Sequence, residues 1–203
     1  TFLLEKNIAA ELKYRRISII LNSKIINISK NEQIQSCIIK RILCYINLDN
    51  EQELENVYNQ SFKSENNINI NQKIDILWKI LNYFFNKKDY RKANDYAENL
   101  LDYKNEEYYK IYQLDFLYNL ILIKHNINAP VAVISFFEEL FGLSNETALK
   151  LLYYYFYALI IKNDYQKFLE FVDANYQTNV SLFDNAINEI NINFTDNYEL
   201  LKI

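Results

Sequence analysis

A chain of 203 residues with one glycine, Gly142, and one proline, Pro130, has little with which to turn. Sheets and α/β folds need tight turns at positive φ, and glycine usually supplies them. A chain this poor in both residues turns rarely and is expected to be nearly all helix. Its hydrophobic share, 50%, suffices for one sizeable core or a short array of repeats. The many Asn, Ile, Lys and Tyr residues match codons made mostly of A and T, and say little about chemistry.

No apolar stretch reaches the roughly 20 residues that a membrane helix needs. The most apolar, LLYYYFYALII from Leu151 to Ile161, is too short, and no secretory leader is legible. Cys37 and Cys44 stand seven residues apart, about 10 Å along one helix and beyond disulfide reach. These features predict a soluble cytoplasmic protein. Beginning at Thr1 and lacking methionine, the chain reads as an excised fragment. Its net charge of −4 is uneven. Thr1 to Tyr45 carries eight Lys/Arg against three Glu, or +5, so the remainder carries −9. Four arginines and no helix-turn-helix pattern argue against base reading by this chain itself. The basic segment reads as a solvated face, or as lying near nucleic acid or a DNA-binding domain absent from this chain.

Two stretches echo each other: KKDYRKANDYAENLL from Lys87 and IKNDYQKFLEFVDANY from Ile161. Tyr90 and Tyr165 are 75 apart, and a polar break falls midway at Ile127, ahead of Pro130. Proline suits the first turn of a helix, whose N–H groups lack partners anyway. An earlier break at Asp49-Asn50 precedes Leu54. Turns anchored at Leu54, Tyr90, Ile127 and Tyr165 recur at 36, 37 and 38 residues. A period in the mid-thirties with two helices per unit is that of a helical-hairpin solenoid.

The spacing resembles the tetratricopeptide repeat. Its first-helix core pattern falls on Leu77, Ile80, Leu81 and Phe84, then Leu114, Leu117, Tyr118 and Ile121, then Leu152, Tyr155, Phe156 and Leu159. Ala93 and Ala97 take the small positions of one second helix. The units are degenerate: they lack the repeat's glycine and closing proline, and Arg41 occupies an expected core position in the first. The resemblance implies one all-α domain over 1–203, a right-handed solenoid of tetratricopeptide-like hairpins with capping helices. Residues 1–31 are expected to form the N-terminal cap or linker, with a long helix or helix pair up to Ile28. About four hairpins follow over 32–176, and a C-terminal cap over 177–203 includes a last helix at Ser181–Ile192.

Catalytic chemistry finds no constellation. His125 stands alone at a helix end, where a cation meets the dipole favourably. The cysteines read as small core residues, and no Cys/His cluster has metal-ligand spacing. Gly142 reads as a left-handed helix stop with Ser144 capping the next helix. Glu138 and Glu139 are consecutive on one helix and diverge. No enzyme, cofactor or metal is expected.

In a hairpin solenoid the first helices line the concave side, and residues between their core positions face the groove. Register places there Asp75, Trp78, Asn82 and Asn86; then Tyr112, Asp115 and Asn119; then Lys150, Tyr153 and Tyr157. Asparagine amides can pair with the N–H and C=O groups of an extended peptide, and aromatics offer side-chain pockets. Asp75 and Asp115 favour a cationic peptide.

Period, architecture and the paired Asn82 and Asn119 together resemble the receptor half of the Rap, Rgg, NprR, PlcR and PrgX quorum-sensing regulators. That resemblance implies a short signal peptide in the groove, a homodimer, and DNA contacted only through a domain absent from this chain. The alternative reading is a constitutive scaffold that holds a partner protein segment.

Overall fold

The computed structural model describes residues 15–16, 31–63 and 68–194. The cap expected before Ile28 lies almost wholly outside them. From residue 31 to 194 the described residues form ten α-helices, two short 3-10 segments and no strand, so the expectation of an all-α fold holds. In chain order the helices are α1 (Asn31–Asn47), α2 (Glu51–Lys63), α3 (Ile70–Asn86), α4 (Tyr90–Leu101), α5 (Gln113–Asn126), α6 (Pro130–Leu143), α7 (Asn145–Leu149), α8 (Leu152–Ile161), α9 (Tyr165–Asn175) and α10 (Val180–Phe194). The 3-10 segments are Glu107–Ile111 and Tyr176–Thr178. The chain divides into two compact units, 1–83 and 84–203, with the boundary inside α3.

One turn is used four times, each time without glycine. Three residues separate α1 from α2, α3 from α4, α5 from α6 and α8 from α9. The middle residue is left-handed in every case: Asp49 (φ 54°), Lys88 (60°), Asn128 (58°) and Asn163 (57°). Its N–H bonds three residues back, and the next N–H bonds five back. At the second turn these are Lys88 N–H to Phe85 O at 2.9 Å and Asp89 N–H to Phe84 O at 3.0 Å; the same pair recurs at the other three turns. This double bond satisfies the carbonyls that a helix end leaves open. Asn and Asp tolerate left-handed backbone better than other non-glycine residues. Lysine at 88 has no such excuse.

The residue after the left-handed one starts the next helix. Asn50, Asp89 and Asp164 accept the N–H groups of Glu53, Lys92 and Lys167 at 3.2, 3.1 and 3.4 Å. Ala129 has no cap to offer, and Pro130 follows it at the first helical position. The repeated Asp-Tyr is therefore an N-cap and the first residue of a second helix. The left-handed residues fall 39, 40 and 35 apart, a less even spacing than the 36, 37 and 38 expected. Between the second and third turns the chain also accommodates the segment Glu107–Ile111.

In the first unit α1 packs on α2, burying Ile38, Ile42, Leu54 and Val57. Both cysteines are buried and unbridged, as expected of small core residues. Tyr83 on α3 donates its hydroxyl to Asp49 of the first turn at 2.5 Å. Arg41, the awkward core position, is half-buried with its Nε unpaired.

In the second unit α5 packs on α4, α6 and α8, while α8 also packs on α6, α9 and α10. The core joins Leu117 and Ile121 of α5, Phe137 and Leu140 of α6, Tyr155, Phe156 and Leu159 of α8, and Phe183 and Ile190 of α10. Phe137 stacks on Tyr155 with centroids 4.1 Å apart, and Phe171 of α9 meets both edge-on. Such pairs add about 0.5–1.5 kcal/mol each beyond the area they bury. Ala93 and Ala97 are fully buried, which fits their assignment as small packing positions. The helix expected at Ser181–Ile192 is present as α10.

Three local expectations are corrected. Gly142 is not left-handed and lies within α6; that helix closes with the Ser144 N–H on Leu140 O at 2.8 Å, while the Ser144 side chain caps α7 as expected, accepting the N–H of Thr147 at 3.4 Å. Leu114, placed in the core by the repeat pattern, is 42% exposed, because α5 begins only at Gln113 and its first turn precedes the packed stretch. Lys150, expected on the same leading helix as Tyr153 and Tyr157, instead falls at a break, Lys150-Leu151, between α7 and α8.

Candidate functional site

The ten residues expected to line a groove fall into two groups. In the first unit Asp75, Trp78 and Asn82 share α3, all half-buried, at helical spacings that set them on one side. Asn82 donates its Nδ2 to the carbonyl of Trp78 at 2.8 Å. Asn47, Asn126 and Asn175 make the same bond, to Leu43, Leu122 and Phe171. Asparagine here thus serves its own helix, a local competition with backbone bonding that short amides make readily. One amide hydrogen of Asn82 is committed in this way.

The second unit holds the other seven. Asn86 is exposed at the end of α3. Tyr112 precedes α5 at the junction with the 3-10 segment, its ring edge-on to Tyr108 at 6.0 Å. Asp115 is exposed and Asn119 half-buried, four apart on α5. Lys150 requires correction: it closes α7 rather than riding a leading helix, and it is exposed and paired with Glu146 at 3.7 Å. Tyr153 and Tyr157, on α8, are half-buried.

Sequence reasoning did not foresee what α5 brings to these tyrosines. His125, in the last turn of α5, meets the rings of Tyr153, Tyr154 and Tyr157 edge to face, with centroids at 6.2, 4.8 and 5.0 Å. The signal was present but ambiguous: five aromatics in a row, Tyr153 to Tyr157, must wrap a helix, and only packing decides which face outward. Tyr155 and Phe156 turned inward and are buried, leaving the other three around the histidine.

Burial lowers the pKa of His125 below its ordinary value, so the imidazole is held neutral, with one ring nitrogen a donor and the other an acceptor. Burial, with the nearby Glu189, Tyr118 and Tyr90, pushes the Tyr154 phenol up. The His125 ring and the Tyr154 hydroxyl are therefore uncharged hydrogen-bonding groups set beside ring faces. Among the described residues no three His, Cys, Asp or Glu side chains are grouped to hold a metal ion. No described helix is long and apolar enough to cross a membrane.

No family model, curated protein or solved structure matches the chain.

Proposed function

We propose that this chain is a helical-hairpin repeat module of the tetratricopeptide-like kind that binds a short peptide or partner segment along its leading helices. The supporting observation is the insertion of His125 from α5 among three tyrosines of α8. This contact of α5 with α8 supports reading them as leading helices of successive hairpins that share a half-buried face of hydroxyls and ring edges. The four equivalent turns, each left-handed residue followed by a helix start, are what a stack of like units requires.

In this reading Tyr153, Tyr157 and Asn119 contact the bound segment, and Asp115 favours a basic residue in it. Tyrosine gives large contact area at low entropic cost. As the receptor part of a regulator, of the type that answers a quorum-sensing peptide, the module would respond only if the peptide binds two arrangements of the helices unequally. DNA would then be contacted by a domain outside this chain. The local bond of Asn82 favours the second reading, a constitutive scaffold, because it weakens the case for a ladder of asparagine amides along a peptide backbone.

Selection of displayed peptides on the purified chain, followed by calorimetric titration of the selected sequences, tests the site. Tyr153→Ala with Tyr157→Ala is expected to weaken binding about tenfold or more; unchanged affinity refutes the assignment. Small-angle scattering with and without the peptide separates the two readings, since a receptor changes curvature and a scaffold does not.

A further inference from the structure

The turns themselves enclose a different feature. The second turn and the start of α4 meet the third turn around an open cleft of about 660 Å3, whose lining includes Lys87, Lys88, Asp89, Arg91, Asn126 and Asn128. Three cations face it against one carboxylate. That carboxylate is engaged at the helix start, where Asp89 accepts the N–H of Lys92. Neither Lys88 nor Arg91 has an ion-pair partner among the described residues. This concentration of positive charge lies in the part of the chain that carries −9 overall.

The molecule supplies its own control. One hairpin further along, the start of α6 and the fourth turn enclose an equivalent cleft of about 380 Å3, lined by Val131, Ile134, Lys162, Asn163 and Asp164. There one cation faces one carboxylate and two aliphatic side chains, so the lining is neutral. Turn geometry alone therefore does not make a basic cleft; the residues Lys87 to Arg91 do.

We propose that the cleft between the second and third turns binds a phosphate monoester group. A doubly charged tetrahedral oxyanion presents several acceptors at once, which suits the planar fork of Arg91 together with the point charge of Lys88. A single carboxylate would leave at least one of these cations unanswered. Tyr90, which lies near Tyr154, also lines the cleft, but His125, Tyr153 and Tyr157 do not, so the charged site does not rest on the peptide-binding reading.

The test is a 15N-detected NMR titration of the whole chain with sodium phosphate, set against sodium chloride at equal ionic strength. Phosphate is expected to shift the backbone amides of Lys88 to Arg91 and of Asn128 saturably, and chloride to leave them in place. The double variant Lys88→Asn, Arg91→Gln keeps residues that suit a left-handed position and a helix, and is expected to weaken phosphate binding about tenfold or more. Its circular dichroism and melting curve establish that it folds. A short phosphoserine peptide that binds more tightly than inorganic phosphate identifies the source as a phosphorylated side chain. Equal affinity identifies a free phosphate compound, and either result supports the site. Equal shifts with chloride, or unchanged phosphate affinity in the double variant, overturn it.

Discussion

The Asp89 carboxylate accepts the backbone N–H of Lys92 at 3.1 Å, one residue after the chain has turned through left-handed Lys88. Asp164 and Lys167 repeat the arrangement at 3.4 Å. The end of one helix and the start of the next are thus fixed within two residues. Replacing Asp89 with alanine should cost about 1 kcal/mol, the usual loss when an N-cap acceptor is removed. Asp164→Ala should cost less, its bond being longer, and Asp89→Asn should cost little. Urea denaturation followed by circular dichroism measures all three.

Lys88 and Gly142 carry opposite backbone preferences in the wrong places. Lys88 sits at φ 60°, where a side chain is strained, whereas Gly142 lies in α6 and a Cβ added there would meet nothing within 4 Å. Lys88→Gly should therefore stabilise the chain by about 0.5–1 kcal/mol. Gly142→Ala should do likewise, by up to about 0.5–1 kcal/mol. A destabilised Gly142→Ala would contradict the helical backbone at this position. Thermal and urea midpoints decide both.

The second unit depends on the ring pair of Phe137 and Tyr155, stacked at 4.1 Å and almost wholly buried. Phe137→Ala should cost about 3–5 kcal/mol, the transfer and cavity terms together. Phe137→Leu should lose roughly 1–2 kcal/mol less than that, since it keeps much of the volume. The comparison of unfolding midpoints checks whether packing of α6 on α8 is the main support of this unit.

His125 should make stability depend on pH. Its pKa is lowered by burial from the ordinary 6.5, so the unfolded chain takes up a proton first as pH falls. The native state then loses stability as pH drops through about 6.5 toward the folded value, and the loss levels off below it. Above that window the contribution is constant. His125→Phe, which keeps the aromatic contact with Tyr154 and Tyr157, should flatten this part of the profile in denaturation curves taken between about pH 5 and 8.

The helical class and the places where the chain turns were determined by the sequence alone. One glycine and one proline left helix as the economical use of the backbone, and Asp, Asn and Pro at the turn positions supplied caps whose action is local and needs no tertiary partner. Core positions at helical spacing were legible for the same reason, since Leu117, Ile121 and Phe156 follow the period of the helix. Periodicity gave no warning of the break at Lys150-Leu151 or of the exposure of Leu114. What only the tertiary structure decided is which side of an all-aromatic stretch faces inward. Tyr153 through Tyr157 are nearly interchangeable in hydrophobicity, so their roles depended on the approach of α5, α6 and α10 to α8. That approach buried Tyr155 against Phe137 and set His125 among its three tyrosines, because packing selects among side chains that local preference cannot distinguish.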